Sequence, residues 1–185
     1  MKRALLVIDV QVGYFSGRLQ ITHPADSYQN IQKAMDVANE SGVPIAIVQH
    51  TPPNGQPQEF VKGTPGWEIP PEVKSRPHDI VIEKNLPGSF TGTSLEPWLR
   101  EREIDTVVIA GYMTQMCCDT TSRQAVHLGF NVEFLSDATG TLSFTNAGGS
   151  VTAEELHRAA LVTQAIRFAK VMSVDEWADA LKENV

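Results

Sequence analysis

Short apolar runs that alternate with helical patterns constrain the fold of this chain most strongly. Most of the runs are continuously apolar, which is typical of strands buried on both faces of a parallel sheet. They lie at Ala4–Val10, Pro44–His50, Asp79–Lys84, Thr106–Gly111 and Val132–Ser136, with a weaker one at Lys170–Ser173. Strands that alternate with helices predict a three-layer α/β/α fold, in which helices cover a doubly wound parallel sheet of about six strands.

Capping patterns mark several of the predicted helices. A Ser or Thr followed three residues later by Glu predicts a capping box at the start of a helix. This pattern occurs at Thr93–Glu96, Thr152–Glu155 and Ser173–Glu176. A further helix is expected from near Cys117 to Leu128, because a glycine follows there.

Two segments have no regular periodicity, at Thr51–His78 and Asp137–Val151. Loops of this length inside a compact domain are usually functional, for example as lids or binding loops. The 185 residues are otherwise expected to form a single domain, 1–185, since chains of this length usually fold as one.

The charge and hydropathy of the chain indicate whether it binds nucleic acid or membranes. The chain has 15 Lys and Arg residues against 22 Asp and Glu, a net charge of −7, and the acidic residues are dispersed. This argues against binding to nucleic acid or to an anionic membrane, both of which favour basic patches. The apolar run Ala4–Ile8 is too short for a signal peptide, and no run approaches the roughly 20 residues of a membrane span. A soluble, cytoplasmic protein is therefore expected.

Chemically useful side chains follow three of the predicted strands. Asp9 ends the first, Lys84 ends the third, and Cys117 opens the helix after the fourth. Ligands of open parallel sheets bind beyond the carboxyl ends of the strands, so an acid, a base and a thiol are expected at one edge. A helix N-terminus and an ammonium favour a thiolate, and a carboxylate can carry its proton. Together they could perform acyl transfer at an amide carbonyl.

Structural interpretations of the same residues stay open. Asp9 could cap a helix or form a salt bridge, Lys84 could be solvated, and Cys117 could be an inert buried cysteine. Cys118, the other cysteine, is expected to point into the core. Because adjacent Cα atoms lie only about 3.8 Å apart, no disulfide is expected between the two.

The motif Gly-x-x-Thr-x-x-Cys-Cys-x-x-Thr at residues 111–121 resembles that of the isochorismatase-like cysteine hydrolases, which include nicotinamidases and carbamoyl-sarcosine amidohydrolases. The resemblance covers nearly the whole chain, since Asp9-x-Gln11, the strand-end Lys84 and this motif occur in the family's order. It implies an isochorismatase-like, Rossmann-like fold.

The resemblance also implies roles for matching residues. Cys117 would be the nucleophile, Asp9 its base and Lys84 the third member of the triad. A cis peptide bond would join Tyr112 to Met113, and the backbone N–H groups of Met113 and Cys117 would form the oxyanion hole. Five further residues are expected to contact the substrate: Gln11, Tyr14, Trp67, Phe90 and Tyr112. For the four aromatic residues the alternative is packing of a loop onto the core, and for Gln11 it is a hydrogen bond to Asp9 or to the loop.

One departure from the family concerns metal binding. Nicotinamidases have a metal-binding Asp-x-His and a further His after the second strand, where this chain reads Gln49-His50-Thr51-Pro52-Pro53. The five histidines are dispersed, and no spacing is typical of a metal site. Neither a metal nor a cofactor is expected, and His50 is expected to make a structural hydrogen bond.

Together these observations predict a cofactor-free hydrolase of a small-molecule amide or related C–N bond, which acts through a thioester at Cys117. A vinyl ether hydrolase of the isochorismatase type is one alternative, although members with that activity lack the nucleophilic cysteine. A non-catalytic member that binds a metabolite or a protein is another. The family also implies a homodimer or homotetramer, in which the long loop or a neighbouring subunit closes the pocket.

Overall fold

The computed structural model describes residues 1–53 and 59–183. Residues 54–58 of the predicted loop Thr51–His78 lie outside this part. The strands are β1 (Arg3–Ile8), β2 (Ile45–His50), β3 (Ile80–Lys84), β4 (Thr106–Tyr112), β5 (Asn131–Gly140), β6 (Phe144–Asn146), β7 (Gly149–Val151) and β8 (Lys170–Met172). The helices are α1 (Ser27–Glu40), α2 (Pro71–Lys74), α3 (Leu95–Glu101), α4 (Asp119–His127), α5 (Ala153–Arg167) and α6 (Val174–Lys182).

Six of the described strands form one parallel sheet in the order β3-β2-β1-β4-β5-β8. The order reverses at β1, which lies between β2 and β4, so the sheet is doubly wound as predicted. Such a reversal opens a crevice at the carboxyl ends of the central strands. β1, β3 and β4 all end at this edge.

Helices cover both faces of the sheet, which confirms the predicted three layers. α1 and α6 contribute to the apolar cluster on one face, where Trp177 is fully buried. α3 and α4 contribute to the cluster on the other face. Burying a large apolar side chain stabilises a fold by about 1.5–3 kcal/mol, so these two clusters supply much of its stability. None of the described helices is long and apolar enough to span a membrane.

Gly111 lets β4 approach β1 closely beside the crevice. It pairs with Ile8, and its φ of +117° is one that residues with a side chain rarely adopt. A Cβ atom at this position would lie 2.0 Å from the backbone oxygen of Ile8. Glycine is therefore required here, one residue before Tyr112 and opposite the end of β1.

The segment Asp137–Val151 is more regular than the expected loop. β5 continues to Gly140, because a register shift between Ile109 and Gly111 allows Thr139 to pair with Gly111. β6 and β7 then form an antiparallel ribbon.

The three predicted capping boxes have different outcomes. Those at Thr152 and Ser173 are present, with side-chain and backbone bonds in both directions. The one at Thr93 is wrong: α3 has Ser94 as its N-cap, and the Thr93 hydroxyl donates to the Ser89 carbonyl instead.

Candidate active site

Asp9, Lys84 and Cys117 meet at the carboxyl edge of the sheet. Asp9 directly follows β1, Lys84 is the last residue of β3, and Cys117 lies in the π-helical turn Thr114–Cys118 after β4. The Lys84 Nζ atom lies 2.8 Å from Asp9 Oδ2 and 3.4 Å from Cys117 Sγ. One buried ammonium therefore contacts both the carboxylate and the thiol.

Lys84 has two further contacts. Its Nζ donates to the backbone carbonyl of Leu86 at 3.0 Å and lies 3.4 Å from His50 Nδ1. The contact with Nδ1 is the expected structural bond of His50, although the same ring also lines the cavity described below. The side chain of Lys84 is completely buried, so these neighbours take the place of water around the charge.

Asp9 is held in a constrained position. Its φ of 52° lies in the left-handed region, which Asp adopts more readily than most residues. The carboxylate is fully buried, and neither oxygen makes a hydrogen bond of regular geometry within the described residues. Its close ionic contact is the one with Lys84. A buried carboxylate without other regular hydrogen bonds depends strongly on this cation.

Burial sets the protonation state of the thiol. Burial raises the pKa of Cys117 well above its ordinary value and Asp9 raises it further, whereas Lys84 opposes both effects. Lys84 thus favours the thiolate, as expected, but desolvation is the larger effect. The thiol is therefore protonated at rest, and the negative charge of Asp9 opposes its ionisation.

The pKa values of the neighbouring bases follow the same physics. Burial alone would lower the pKa of Lys84, but Asp9 and Cys117 outweigh it, and the pKa lies above its ordinary value. Burial lowers the pKa of His50 and Lys84 adds to this effect, while Asp9 opposes it. Near neutral pH the site thus contains an ammonium and a neutral imidazole.

The turn that carries Cys117 has the backbone features that the resemblance implies. The peptide bond between Tyr112 and Met113 is cis. The Met113 carbonyl then accepts hydrogen bonds from the N–H groups of Met116 and Cys118, at 3.0 and 3.2 Å. Cys118 is fully buried in the core, as expected, and both cysteines are free.

A cavity of about 460 Å³ opens beside Cys117. Tyr14 lines it, as predicted, and burial, together with Asp9 and Cys117, raises its pKa. An ion pair between Arg18 and Glu59, at 2.8 Å, also belongs to the wall. The other described residues in the wall are Leu19, His50, Pro52, Pro53, Phe60, Asn85, Leu86, Pro87 and Met116. The wall is thus largely apolar, and the charges of its ion pair cancel.

Two of the other predicted pocket residues are fixed by buried hydrogen bonds and lie outside the described wall of this cavity. The Gln11 amide donates to the carbonyls of His50 and Trp67, at 3.0 and 2.9 Å, and its oxygen accepts the His50 N–H. The Tyr112 hydroxyl lies 3.2 Å from that of Ser27, on the α1 side of the sheet. Gln11 thus bonds the loop through Trp67, and Tyr112 packs on the α1 side of the sheet, which are the alternatives given for them.

The remaining two predicted pocket residues also lie outside the described wall. The Trp67 indole donates to the Thr51 hydroxyl at 2.8 Å, within the loop. Phe90 stacks on Phe130, with ring centroids 5.9 Å apart, and packs against the core. Trp67 packs against the apolar cluster on the α1 face of the sheet, and Phe90 against the cluster on the other face.

Sequence reasoning missed several cavity residues. Leu86 and Met116 could have been found, because Leu86 lies two residues after Lys84 and Met116 directly precedes Cys117. Leu19 lies between β1 and α1 and Phe60 in the long loop Thr51–His78, both outside the predicted strands and helices, so no local pattern indicates them. Within residues 1–53 and 59–183, no group of three or more His, Cys, Asp and Glu side chains could hold a metal ion.

Comparisons with known proteins show the family of this chain. The family model "Isochorismatase domain" matches residues 3–176. An uncharacterised isochorismatase family protein of Bacillus subtilis, YddQ, is 35% identical over 86% of this chain and 89% of its own length. Nicotinamidase 3 of Arabidopsis thaliana is 31% identical over 98% of this chain and 89% of its own.

A solved structure shows the same fold. The crystal structure of a candidate isochorismatase from Burkholderia xenovorans LB400 superposes with a TM-score of 0.95 at 47% identity, covering 100% of this chain and 89% of that one. The family model and the relatives cover nearly all of the chain, including the three strand ends that meet at the crevice. This chain therefore belongs to the isochorismatase family of hydrolases.

Proposed function

We propose that this protein is a cysteine hydrolase that cleaves a small-molecule amide or a related C–N bond through Asp9, Lys84 and Cys117. The observation that carries the proposal is the double contact of the buried Lys84 ammonium with Asp9 at 2.8 Å and Cys117 at 3.4 Å. A purely structural ion pair has no need of a thiol that shares its cation and lies in the wall of a cavity. The name of the relative nicotinamidase 3 also supports an amide as the substrate.

Asp9 acts as the general base. Because the pKa of Cys117 is raised, the nucleophile is a thiol at rest and must lose its proton as it attacks. Lys84 contacts both the Asp9 carboxylate and the thiol, so the carboxylate is close enough to the sulfur to take the proton. Lys84 keeps its charge throughout and stabilises the sulfur as it becomes negative.

The reaction proceeds in two halves. Cys117 Sγ forms a bond to the carbonyl carbon while its proton passes to Asp9, and the carbonyl oxygen becomes an oxyanion. The C–N bond then breaks, Asp9 returns the proton to the leaving nitrogen, and a thioester remains. Water next attacks the thioester and gives a proton to Asp9, the C–S bond breaks, and Cys117 recovers that proton as the acid leaves.

The backbone N–H groups of Met113 and Cys117 form the proposed oxyanion hole. Both residues belong to the turn that begins at the cis peptide bond and closes through the Met113 carbonyl. Donors on a rigid turn need no reorganisation when the oxyanion forms.

The substrate is a small molecule without net charge. The wall of the cavity is largely apolar, and its Arg18–Glu59 pair is neutral as a unit. Tyr14 is the aromatic side chain proposed to contact the substrate beside Cys117. The proposal includes a cytoplasmic homodimer or homotetramer, which size-exclusion chromatography with light scattering would test.

Ammonia release from a panel of primary amides and carbamoyl compounds tests the proposed reaction. Wild type and Cys117→Ala are compared, each with and without a chelator. We expect release by the wild type alone, unaffected by the chelator. Release that survives Cys117→Ala would contradict the mechanism, and release that the chelator abolishes would contradict the metal-free reaction. Isochorismate contains no nitrogen, so the vinyl ether alternative is tested separately, by pyruvate release from isochorismate.

A further inference from the structure

A buried histidine on α5 joins the turn after β4 to the middle of β5, behind the candidate active site. His157 is 5% exposed. Its Nε2 lies 2.9 Å from the backbone oxygen of Ser136 in β5, and its Nδ1 lies 2.8 Å from the Thr114 hydroxyl after β4. The imidazole therefore bridges the turn after β4 and the middle of β5 from the helical layer.

The chemistry of the partners determines the tautomer of His157. A backbone carbonyl can only accept, so Nε2 must carry the hydrogen. In a neutral ring Nδ1 is then bare, and the Thr114 hydroxyl donates to it. Burial lowers the pKa of His157 to about 4, which agrees with a neutral ring at neutral pH. His23 packs edge-on against it at 5.4 Å and also disfavours the charged form.

Thr114 is the first residue of the turn that carries Cys117. Its side chain is completely buried, and it directly follows Met113, whose carbonyl closes the turn. The His157 bond thus fixes where the turn starts, while Cys117 contacts Lys84 three residues later. A bond of this kind orients the sulfur and the N–H groups of Met113 and Cys117 without touching them.

We propose that His157 is a positioning residue: its Nδ1 accepts the hydrogen of the Thr114 hydroxyl and thereby holds the turn that presents Cys117 to Asp9 and Lys84. The inference rests on the proposed hydrolysis at Cys117. It explains why a histidine, rather than an apolar residue, fills this buried position between α5 and the turn.

Matched variants of Thr114 test this role. Thr114→Val keeps the shape and removes the hydroxyl, whereas Thr114→Ser keeps the hydroxyl. With an amide that the wild type hydrolyses, we expect Thr114→Val to lower kcat by about 10- to 100-fold with little change in KM, since small displacements of reacting groups have costs of this size. Thr114→Ser should recover most of the rate. A Thr114→Val variant with wild-type kcat would overturn the proposal.

A double-variant cycle identifies His157 as the partner. His157→Gln can still reach Ser136 with its amide but lacks the Nδ1 acceptor. We expect Thr114→Val to have little further effect in the His157→Gln background, because both changes remove the same bond. Losses that multiply in the double variant would show independent roles and overturn the proposal. Urea unfolding of each variant confirms that kinetics are measured on folded protein.

Alkylation of Cys117 separates failure of this inference from failure of the proposed function. In a Cys118→Ala background Cys117 is the only thiol, and iodoacetamide reacts with it whether or not an amide substrate is known. We expect Thr114→Val to shift the pH–rate profile of alkylation to higher pH, since a displaced sulfur loses its contact with Lys84. If Thr114→Val leaves the pH–rate profile of the Cys118→Ala protein unchanged, the positioning role is overturned. The expected shift supports that role. Both results hold even if no amide is hydrolysed.

Discussion

Replacing Lys84 by methionine tests how much the stability of the protein depends on the buried ion pair between Lys84 and Asp9. Methionine has a similar length and no charge, so the variant leaves the Asp9 carboxylate buried without its cation. Both side chains are completely inaccessible to solvent, and the two Asp9 oxygens have no regular hydrogen bonds elsewhere in the described residues. Removing one partner of a buried ion pair costs about 3–5 kcal/mol. That is a large fraction of the roughly 5–15 kcal/mol by which domains are stable.

Urea unfolding followed by circular dichroism at pH 8 measures this loss. Because the penalty comes from the stranded carboxylate, the double variant Asp9→Asn/Lys84→Met should recover at least half of the lost stability. The matched control is Lys62→Met. It removes the exposed ion pair between Lys62 and Glu83, the residue that precedes Lys84 in β3. That pair is closer, at 2.6 Å, yet its loss should cost less than about 1 kcal/mol because it is solvated. Equal losses at Lys62 and Lys84, or a double variant no more stable than Lys84→Met, would refute the reasoning.

Three further predictions concern the scaffold of the site. Gly111→Ala should cost more than about 2 kcal/mol of stability in urea, because its Cβ would lie 2.0 Å from the Ile8 oxygen at a φ of +117°; near-wild-type stability would mean that β1 and β4 separate freely. The pKa of His157 is lowered from 6.5 to about 4, so between these pH values the unfolded chain binds a proton at His157 more readily than the folded chain. The free energy of unfolding is therefore at its full value above pH 6.5 and falls by up to about 3 kcal/mol towards pH 4. His157→Gln should lack this pH dependence of the unfolding free energy, which urea unfolding of both proteins between pH 4 and 6.5 measures. The same pH dependence in both proteins would contradict the lowered pKa of His157. Thr152→Ala should lower Tm by about 2–4 °C, since the cap bond to Glu155 contributes about 1 kcal/mol; an unchanged thermal scan would show that the cap adds nothing.

The strand-end residues show why much of the site could be predicted from the sequence. Continuously apolar runs indicate strands buried on both faces, and a parallel sheet places their carboxyl ends at one edge. Asp9, Lys84 and Cys117 follow such runs, so their proximity depends on topology and requires no knowledge of side-chain contacts. The same argument needs few details of register, and it therefore tolerates errors of one or two residues in strand boundaries.

Other features depend on long-range contacts that no local pattern reports. The second half of β5 pairs with β4 only after a register shift, so Asp137–Gly140 resembles a loop in sequence. The Gln11 amide is held by backbone groups of His50 and Trp67, more than 35 residues away. The capping box predicted at Thr152 is present, but the one at Thr93 is absent, because the Thr93 hydroxyl donates to the Ser89 carbonyl and accepts the N–H of Leu95 instead of that of Glu96.

The surroundings of Lys84 have a consequence for how the site responds to charge. An ammonium has three hydrogens, but Lys84 Nζ has four acceptors within 3.4 Å: Asp9, Leu86, His50 and Cys117. At least one hydrogen must therefore be shared, and the two longest contacts are those to His50 and the sulfur. As Cys117 becomes anionic it attracts the shared hydrogen more strongly, and a rotation about the terminal bond of Lys84 is enough to supply it. The site can thus follow the developing charge by redistributing hydrogens, without moving the strands that hold them.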